Sequence, residues 1–336
     1  MKLPKKCQGG KIMDLFEELI AKVKTTSAKI VFPEGNDSRI VKAAVRLAQD
    51  GILQPVILGE RSEIEKCAGQ TLPAEIQTID PAAYPVAAFD EMVAAFVARR
   101  KGKNTAEQAR QLLRDVNYFG TMLVYLGKVD GLVSGAVHPT GDTVRPALQI
   151  IKTKPGISRT SGAFIMVRGQ ERYLFADCAI NIDPDAQQLA EIAVESAKTA
   201  RLFKIDPKIA LLSFSTLGSA QSPVVDKVAT AVKIAQQLAP AERIDGELQF
   251  DAAFVPNVAA KKAPNSKVAG QANVFVFPEL QAGNIGYKIA QRMGGFTAIG
   301  PILQGLNQPV SDLSRGASED DVYKVAVITA MQAINN

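Results

Sequence analysis

The sequence predicts an α/β protein with mainly parallel sheets. Short apolar runs typical of buried strands alternate with longer segments of helical periodicity along most of the 336 residues. Apolar residues make up 47% and charged residues 22% of the chain, which is the composition of a globular protein. At roughly 150 residues per domain, the length predicts about two domains. Strands that alternate with helices imply parallel sheets covered on both faces.

The first half of the chain shows this alternation in order. KIVFPEG (29–35) predicts a buried strand, and NDSRIVKAAVRLAQDG (36–51) predicts a helix that a polar residue caps and Gly51 ends. Two further strands are predicted in QPVILGE (54–60) and DGLVSGA (130–136), with helical patterns between them around 87–101 and 105–115.

The second half repeats the pattern after a predicted domain boundary near the Pro155–Gly156 turn. The pair Asp183–Pro184 is predicted to open a long helix, with the proline in its first turn. Strands are predicted at 163–167, 173–180, 208–216, 248–255, 273–280 and 296–303, and helices at 185–203, 222–239, 284–294 and 320–335.

Charge and composition exclude several classes of protein. The net charge of +5 includes Lys2, Lys5, Lys6 and Lys11, and without these four the chain carries +1. A basic nucleic-acid-binding face is therefore not expected, and the absence of tryptophan disfavours a base-stacking platform. No apolar run approaches the roughly 18 residues of a membrane span, and the first residues lack the apolar region of a secretory signal.

The cysteine and histidine content limits metal and redox chemistry. Cys7, Cys67 and Cys178 are scattered, which suits a reducing cytosol and argues against a disulfide framework. His138 is the one histidine, so a metal site with two histidines is excluded, and no metal site is predicted. Within VHPTGD, His138 itself is interpreted as a loop residue. GxGxxG, GxxxxGK[ST] and GxSxG are all absent, which removes the usual signatures of dinucleotide binding, NTP binding and a hydrolase nucleophile.

A first candidate site lies in SGAVHPTGDTVRPALQIIKTKPG, residues 134–156. A strand ends there, a loop rich in Thr and Gly follows, and a helix is predicted to open at Pro146. Ligands of open α/β sheets bind beyond the carboxyl ends of strands, and a helix start offers free N–H groups. Arg145 has the planar fork that suits phosphate or carboxylate. The alternative is an ordinary loop with a surface arginine.

A second candidate site lies in QPVSDLSRGASEDDVYKV, residues 308–325. Ser314, Arg315 and Gly316 form a predicted polar turn before an apolar helix. Ser318 and Asp321 match the capping-box spacing, so Asp321 has a purely structural alternative at the helix start. Ser314 has no obvious base to activate it, since His138 is far away in sequence, and a serine nucleophile therefore has little support.

Two further arginines stand near predicted helix ends. Arg99 lies in ARRKGK (98–103) and Arg292 in KIAQRMGG (288–295). Basic residues are common at helix C-termini, so each of these arginines alone indicates a solvated helix end.

Four long segments together resemble the phosphate acetyltransferase (phosphotransacetylase) family. They are SGAVHPTGDTVRPALQIIKTKPG, FADCAINIDPD, ANVFVFPELQAGNIGYKIAQR and PVSDLSRGASEDDVYKVAVITA, and the resemblance runs from PEGNDSRIVKAA to the C-terminus. The resemblance implies reversible transfer of an acetyl group between CoA and phosphate. It also implies a two-domain fold like that of isocitrate and isopropylmalate dehydrogenases, with an interdomain cleft. Residues 1–157 and 306–336 would form domain I, and residues 158–305 an inserted domain II.

Site roles follow from the resemblance position by position. Ser314 and Arg315 match the family's catalytic pair, and Asp321 matches its proposed base. Arg145 and Arg292 match arginines that bind phosphate or CoA, and Arg99 matches another, a role that Arg100 could take instead. Thr140 and Thr143 are taken as further candidates for phosphate or CoA binding. The family often has Cys after its SRG sequence, where this chain has Ala317.

The resemblance also sets expectations for cofactor, partners and compartment. It implies a cytoplasmic homodimer of the short, catalytic-domain-only type, acting on CoA, acetyl-CoA, phosphate and acetyl phosphate, with no cofactor, nucleic-acid partner or membrane. The expected mechanism is direct thiolate attack in a ternary complex. Three alternatives stay open: a phosphate butyryltransferase, a non-catalytic module that senses CoA or acetyl phosphate, and a metal-dependent hydroxy-acid dehydrogenase of the same fold.

Overall fold

The computed structural model describes residues 15–335 and contains two sheets flanked by helices. The amino-terminal lysines and Cys7 singled out above lie outside the described residues. Over residues 15–335, no helix combines the length and the apolar character that crossing a membrane requires.

The first sheet has five strands that are all parallel, in the order β11-β4-β1-β2-β3. Adjacent residues of β1 point to opposite faces: Ile30 and Phe32 pack into one apolar cluster and Val31 into another. Both faces of the sheet are therefore covered, as its continuous apolar strands predict. The strands are β1 (Lys29–Phe32), β2 (Gln54–Leu58), β3 (Gln77–Ile79), β4 (Gly131–Ser134) and β11 (Val310–Asp312).

Within residues 15–335, eight α-helices belong to this half of the fold. The side chain of Asp37 caps α2 through the N–H groups of Arg39 and Ile40, and Ser318 and Asp321 form the predicted capping box of α13. The helices are α1 (Leu15–Val23), α2 (Ser38–Gln49), α3 (Arg61–Ala68), α4 (Val86–Arg99), α5 (Ala106–Leu112), α6 (Val116–Tyr125), α7 (Thr140–Pro146) and α13 (Glu319–Ile334).

The second sheet has six strands in the order β10-β5-β6-β9-β7-β8. β5 is antiparallel to both of its neighbours, and the remaining pairs are parallel. The strands are β5 (Ser161–Arg168), β6 (Glu171–Ala176), β7 (Lys208–Leu212), β8 (Arg243–Leu248), β9 (Val274–Val276) and β10 (Thr297–Gln304). Its helices are α8 (Ala186–Leu202), α9 (Pro223–Leu238), α10 (Phe250–Phe254), α11 (Pro256–Lys262) and α12 (Leu280–Arg292).

Several predicted elements are wrong or shifted. The helix predicted at 284–294 already begins at Leu280, and the strand predicted at 208–216 ends at Leu212. The segment 248–255 was predicted as a strand, but Phe250–Phe254 is helical and the strand precedes it; a short apolar run does not distinguish the two. The helix predicted to open at Pro146 instead ends there, and a π-helical turn follows, because proline has no N–H to continue the α-helical bonds. The helix predicted to open at Asp183–Pro184 begins at Ala186, with Asp185 as its cap.

The strands of the two sheets come from separate parts of the chain. Strands within 29–134 and 310–312 form the first sheet, and strands within 161–304 form the second. The predicted division at 157/158 and 305/306 falls in the connections between them and stays a prediction.

Candidate active site

A cavity of about 970 Å³ lies where the carboxyl ends of the first sheet face the second sheet. The first-sheet side supplies the turn after β11, the start of α7 and the start of α13. The second-sheet side supplies one face of α12 and parts of β5 and β10. Five of the candidate catalytic and binding residues named from the sequence line this cavity: Thr140, Arg292, Ser314, Arg315 and Asp321.

Ser314 and Arg315 form an exposed turn directly after β11. The backbone N–H of Ala317 donates to the carbonyl oxygen of Ser314 at 2.8 Å, and the N–H of Gly316 donates to Ser314 Oγ at 3.3 Å. The Arg315 guanidinium makes no ion pair with any residue in 15–335. Both side chains are therefore free to meet a ligand.

Arg39 holds this turn through hydrogen bonds to its backbone, a role that was not predicted from the sequence. Its Nη1 donates to the carbonyl oxygens of Arg315 at 2.8 Å and Ala317 at 2.9 Å, and its Nη2 donates to Ala136 O at 2.9 Å. An ion pair with Asp37 at 2.8 Å fixes the guanidinium. Because one rigid fork serves two loops, the turn of Arg315 and the loop after β4 are held in register.

Glu34, also missed, organises the loop after β4. Its side chain is buried and accepts the four consecutive backbone N–H groups of residues 135–138 at 2.9–3.1 Å. His138 Nδ1 lies 2.7 Å from Glu34 Oε1. An acidic residue directly after the first buried strand was the available signal, since this position faces the ligand edge of a parallel sheet.

Asp321 takes part in both interpretations proposed from the sequence. Its Oδ2 accepts from the N–H of Ser318 at 2.9 Å and from Ser318 Oγ at 2.8 Å, which completes the capping box. The same carboxylate lines the cavity with Ser314 and Arg315. The capping contacts orient the carboxylate and do not remove it from the cavity.

Asp312 is a second cavity carboxyl that the sequence analysis did not single out. It ends β11, is 2% exposed, and accepts a hydrogen bond from Thr140 Oγ1 at 2.7 Å. Burial raises the pKa of Asp312 to about 6, against the opposing effect of the threonine hydroxyls. Gly135 makes room for it: at φ +114, an added Cβ would lie 2.6 Å from Asp312 Oδ1.

The structure does not bring every candidate to this cavity. Thr143 is fully buried beside Asp312, and its hydroxyl makes no hydrogen bond of standard geometry, although it lies close enough to favour the charged carboxylate. Arg145 is exposed, with its guanidinium 3.9 Å from Asp142, and is outside the cavity lining. Arg99 donates to the carbonyl oxygens of Ile150 at 2.5 Å and Ile151 at 2.8 Å, where it anchors the turn after α7.

The cavity carries more positive than negative side chains. Lys288 and Arg292 of α12 face Arg315 and Lys324, against the carboxyls of Asp312 and Asp321. This balance suits an anionic ligand.

Part of the second-sheet side of the cavity is aromatic. Phe164 stacks on Tyr287 at a centroid distance of 4.2 Å. Burial raises the pKa of the Cys178 thiol well above its usual range, so this cavity-lining cysteine stays protonated and is a poor nucleophile. No group of three or more metal-ligating side chains occurs within the described residues 15–335.

The fold and cavity define an α/β protein with a cationic site for anionic substrates between two sheets. A family model described as phosphate acetyl/butaryl transferase matches residues 14–330. A phosphate acetyltransferase of Bacillus subtilis is 61% identical over 324 residues, covering 96% of this chain and 99% of that protein.

Solved structures agree with this assignment. A phosphotransacetylase from Streptococcus pyogenes superposes with a TM-score of 0.93 at 62% identity, covering 96% of this chain and 98% of that chain. A phosphotransacetylase from Staphylococcus aureus superposes with a TM-score of 0.88 at 59% identity, covering 95% of this chain and 98% of that chain. The chain belongs to the phosphate acetyl/butaryl transferase family, whose members are acyltransferases. The resemblance and the predicted fold class are confirmed.

Proposed function

We propose that this chain is a phosphate acetyltransferase that moves an acetyl group reversibly between CoA and inorganic phosphate. The observation that carries the proposal is the shared cavity: Ser314, Arg315 and Asp321 line one space with Arg292. The identity of 61% to a phosphate acetyltransferase over 96% of the chain supports the same conclusion.

The thiol end of the reaction requires a base. A free thiol has a pKa near 8.5, so forming the thiolate at pH 7 costs about 2 kcal/mol. In the proposed mechanism, the Asp321 carboxylate accepts this proton as the sulfur of CoA attacks the carbonyl carbon of acetyl phosphate. The capping contacts from Ser318 support the role because they fix the carboxylate at the cavity wall. A positioned base contributes about 10²–10⁴-fold in rate.

The phosphate end requires charge stabilisation. Arg315 is proposed to clamp the phosphate with two parallel N–H donors, a geometry that lysine cannot copy. Its lack of an ion-pair partner within residues 15–335 supports this role. Ser314 Oγ is proposed to donate a hydrogen bond to the oxygen of the tetrahedral intermediate. Removing one such donor typically lowers kcat about 10²–10³-fold. Arg292 would bind the phosphates of CoA from the α12 side.

The transfer is proposed to be direct, in a ternary complex of enzyme, acetyl donor and acceptor. Cys178 supports this step because its buried thiol is protonated, which leaves no activated thiol beside the substrates. The reaction is proposed to use CoA and acetyl-CoA as substrates without a metal ion or other cofactor. Full activity after dialysis against a chelator is the expected result.

The proposed assembly is a homodimer in the cytoplasm. Ile285 and Ile289 of α12 and Met293 just after it are 56%, 53% and 84% exposed. Spaced four residues apart, they share one helix face, and such a stripe is typical of a protein interface. Sedimentation should give twice the chain mass, and Ile289→Asp should shift it toward the monomer.

A thiol-release assay tests the proposed function. Acetyl-CoA should release thiol when phosphate is present and not when phosphate is omitted. Acetyl phosphate should turn over faster than butyryl phosphate in the reverse direction. Phosphate-independent thiol release, or binding of acetyl-CoA without turnover, would contradict the proposal.

A further inference from the structure

The cavity contains a second carboxyl, that of Asp312, which has no role in the proposed mechanism. Asp312 ends β11 two residues before Ser314 and is 2% exposed. Its Oδ2 accepts the Thr140 hydroxyl at 2.7 Å, and its Oδ1 is buried without a hydrogen bond of standard geometry in residues 15–335. Burying a carboxyl in this way is costly, and groups so placed are concentrated at reacting centres.

The proton balance of the proposed reaction identifies a task. When acetyl-CoA and HPO₄²⁻ become acetyl phosphate dianion and CoA thiol, phosphate loses one proton and sulfur gains one. Asp321 is assigned to the sulfur. The proton of phosphate must also be accepted as its oxygen attacks the thioester carbon, and a second carboxyl in the cavity can do this while Asp321 serves the sulfur.

The direction of the Thr140 hydrogen bond suits that task. A threonine hydroxyl has one proton and two lone pairs. With its proton donated to Asp312, Thr140 Oγ1 can only accept from another partner. Thr140 is exposed and lines the cavity, so a P–O–H group there meets an acceptor that is already bonded to a carboxylate.

We propose that Thr140 and Asp312 form a proton relay that takes the proton from bound phosphate, an inference that rests on the proposed function. The P–O–H bond breaks as its proton moves to Thr140 Oγ1, and the Thr140 proton moves to Asp312 Oδ2. The electron pair left on the phosphate oxygen forms the new bond to the acetyl carbon. The C–S bond breaks with its electron pair on the sulfur, which takes a proton from the Asp321 carboxyl. In the reverse direction, Asp312 returns the proton through Thr140 to the leaving phosphate.

The surroundings of Asp312 favour proton uptake. Burial raises its pKa to about 6, the negative charge of Glu34 acts in the same direction, and the hydroxyls of Thr140 and Thr143 oppose it. A carboxylate with that pKa is a better proton acceptor at neutral pH than an ordinary aspartate. The other charged side chains lining the cavity are Lys288, Arg292, Arg315, Asp321 and Lys324, and His138, Cys178 and Tyr287 are the further titratable ones.

Three variants of the full-length protein test the relay. Thr140→Val removes the hydroxyl at nearly constant shape, Thr140→Ser keeps it, and Asp312→Asn keeps the shape but cannot accept the proton. In acetyl phosphate formation, kcat should fall about 10²-fold or more in Thr140→Val and Asp312→Asn and stay within about fivefold in Thr140→Ser. The KM for acetyl-CoA should change little, because the relay acts on phosphate.

The pH profile separates a relay from a merely structural contact. Wild-type kcat should decline at acid pH as Asp312 becomes protonated, and the residual kcat of Asp312→Asn should lack this decline. The titration of phosphate itself affects all variants equally. Only the difference between the pH profiles of wild type and Asp312→Asn is therefore assigned to Asp312. The relay would be overturned if Thr140→Val kept the wild-type kcat and the same decline of kcat at acid pH.

The outcomes distinguish the relay from the proposed function. If wild-type protein releases no thiol with acetyl-CoA and phosphate, the proposed function fails and the relay falls with it. If wild-type protein is active and Thr140→Val is unaffected, only the relay fails. Should Asp312→Asn not fold, the Thr140→Val and Thr140→Ser pair decides alone.

Discussion

The guanidinium of Arg39 donates to the backbone carbonyl oxygen of Arg315 at 2.8 Å across 276 residues of sequence. The same fork reaches Ala317 O and Ala136 O. Arg39 thus joins the helix after β1 to the turn after β11 and the loop after β4. The position of the proposed phosphate clamp is determined by an arginine that does not line the cavity.

Arg39→Lys should lower kcat about tenfold or more while the protein stays folded. One ammonium cannot serve three carbonyl oxygens spread over two loops, so the turn of Arg315 loses its fixed position. Steady-state kinetics and thermal unfolding check this outcome. Arg110→Lys is a matched control, because Arg110 is a half-buried arginine whose ion pair, with Asp90 at 2.6 Å, lies on the helices before β4. Equal kinetics in the two variants would show that Arg39 does not position the turn.

Arg315→Lys should raise the KM for phosphate and lower kcat, with a combined loss in kcat/KM of about 10²-fold or more. Lysine keeps the charge but loses the two parallel donors of the guanidinium. Initial rates at varied phosphate concentration measure both effects. Kinetics close to wild type would refute the clamp.

The two roles of Asp321 can be separated with Ser318. Ser318→Ala removes the hydroxyl that accepts from the Asp321 N–H and donates to its carboxylate, and should cost about 1 kcal/mol of stability. Its kcat should stay nearly intact, because the backbone N–H of residue 318 still holds the Asp321 carboxylate. Asp321→Asn, by contrast, should lose about 10²–10⁴-fold in kcat. Unfolding curves and thiol-release rates give both quantities. If Asp321→Asn loses stability and keeps its rate, the carboxylate is only a cap.

The raised pKa of Asp312 predicts a pH-dependent stability difference. Between pH 3.8 and about 6 the folded state holds a proton that the unfolded state has released, so stability falls as pH rises through this window. The loss in the free energy of unfolding reaches about 3 kcal/mol at the upper end of this window and stays constant at higher pH. Asp312→Asn should therefore gain stability over wild type between pH 4 and pH 6, measured by denaturant unfolding. A stability difference between Asp312→Asn and wild type that does not depend on pH would contradict the raised pKa of Asp312.

Most of the fold could be predicted because its strands are continuous apolar runs with helical segments between them. One exception, at 250–254, arose where Phe250 and Phe254 lie one helical turn apart in a run too short to show a period. The helix at Thr140–Pro146 was misplaced because Pro146 marks a helix start more often than an end.

The site was predicted only in part, and its missing residues share a physical reason. Ser314, Arg315 and Asp321 lie within one segment, so a local motif reveals them. Glu34 and Arg39 act through backbone groups about one hundred or more residues away, and no local pattern encodes such contacts. The resemblance implies a ligand-binding role for Arg99, and in the structure its guanidinium donates to the carbonyl oxygens of Ile150 and Ile151.

Isotope exchange tests the central claim, direct transfer within one cavity, most directly. Labelled phosphate is incubated with acetyl phosphate and enzyme, with and without CoA. Direct transfer requires CoA to accept the acetyl group, so label should enter acetyl phosphate only when CoA is present. Exchange without CoA would show that an acetyl-enzyme forms and would contradict the account.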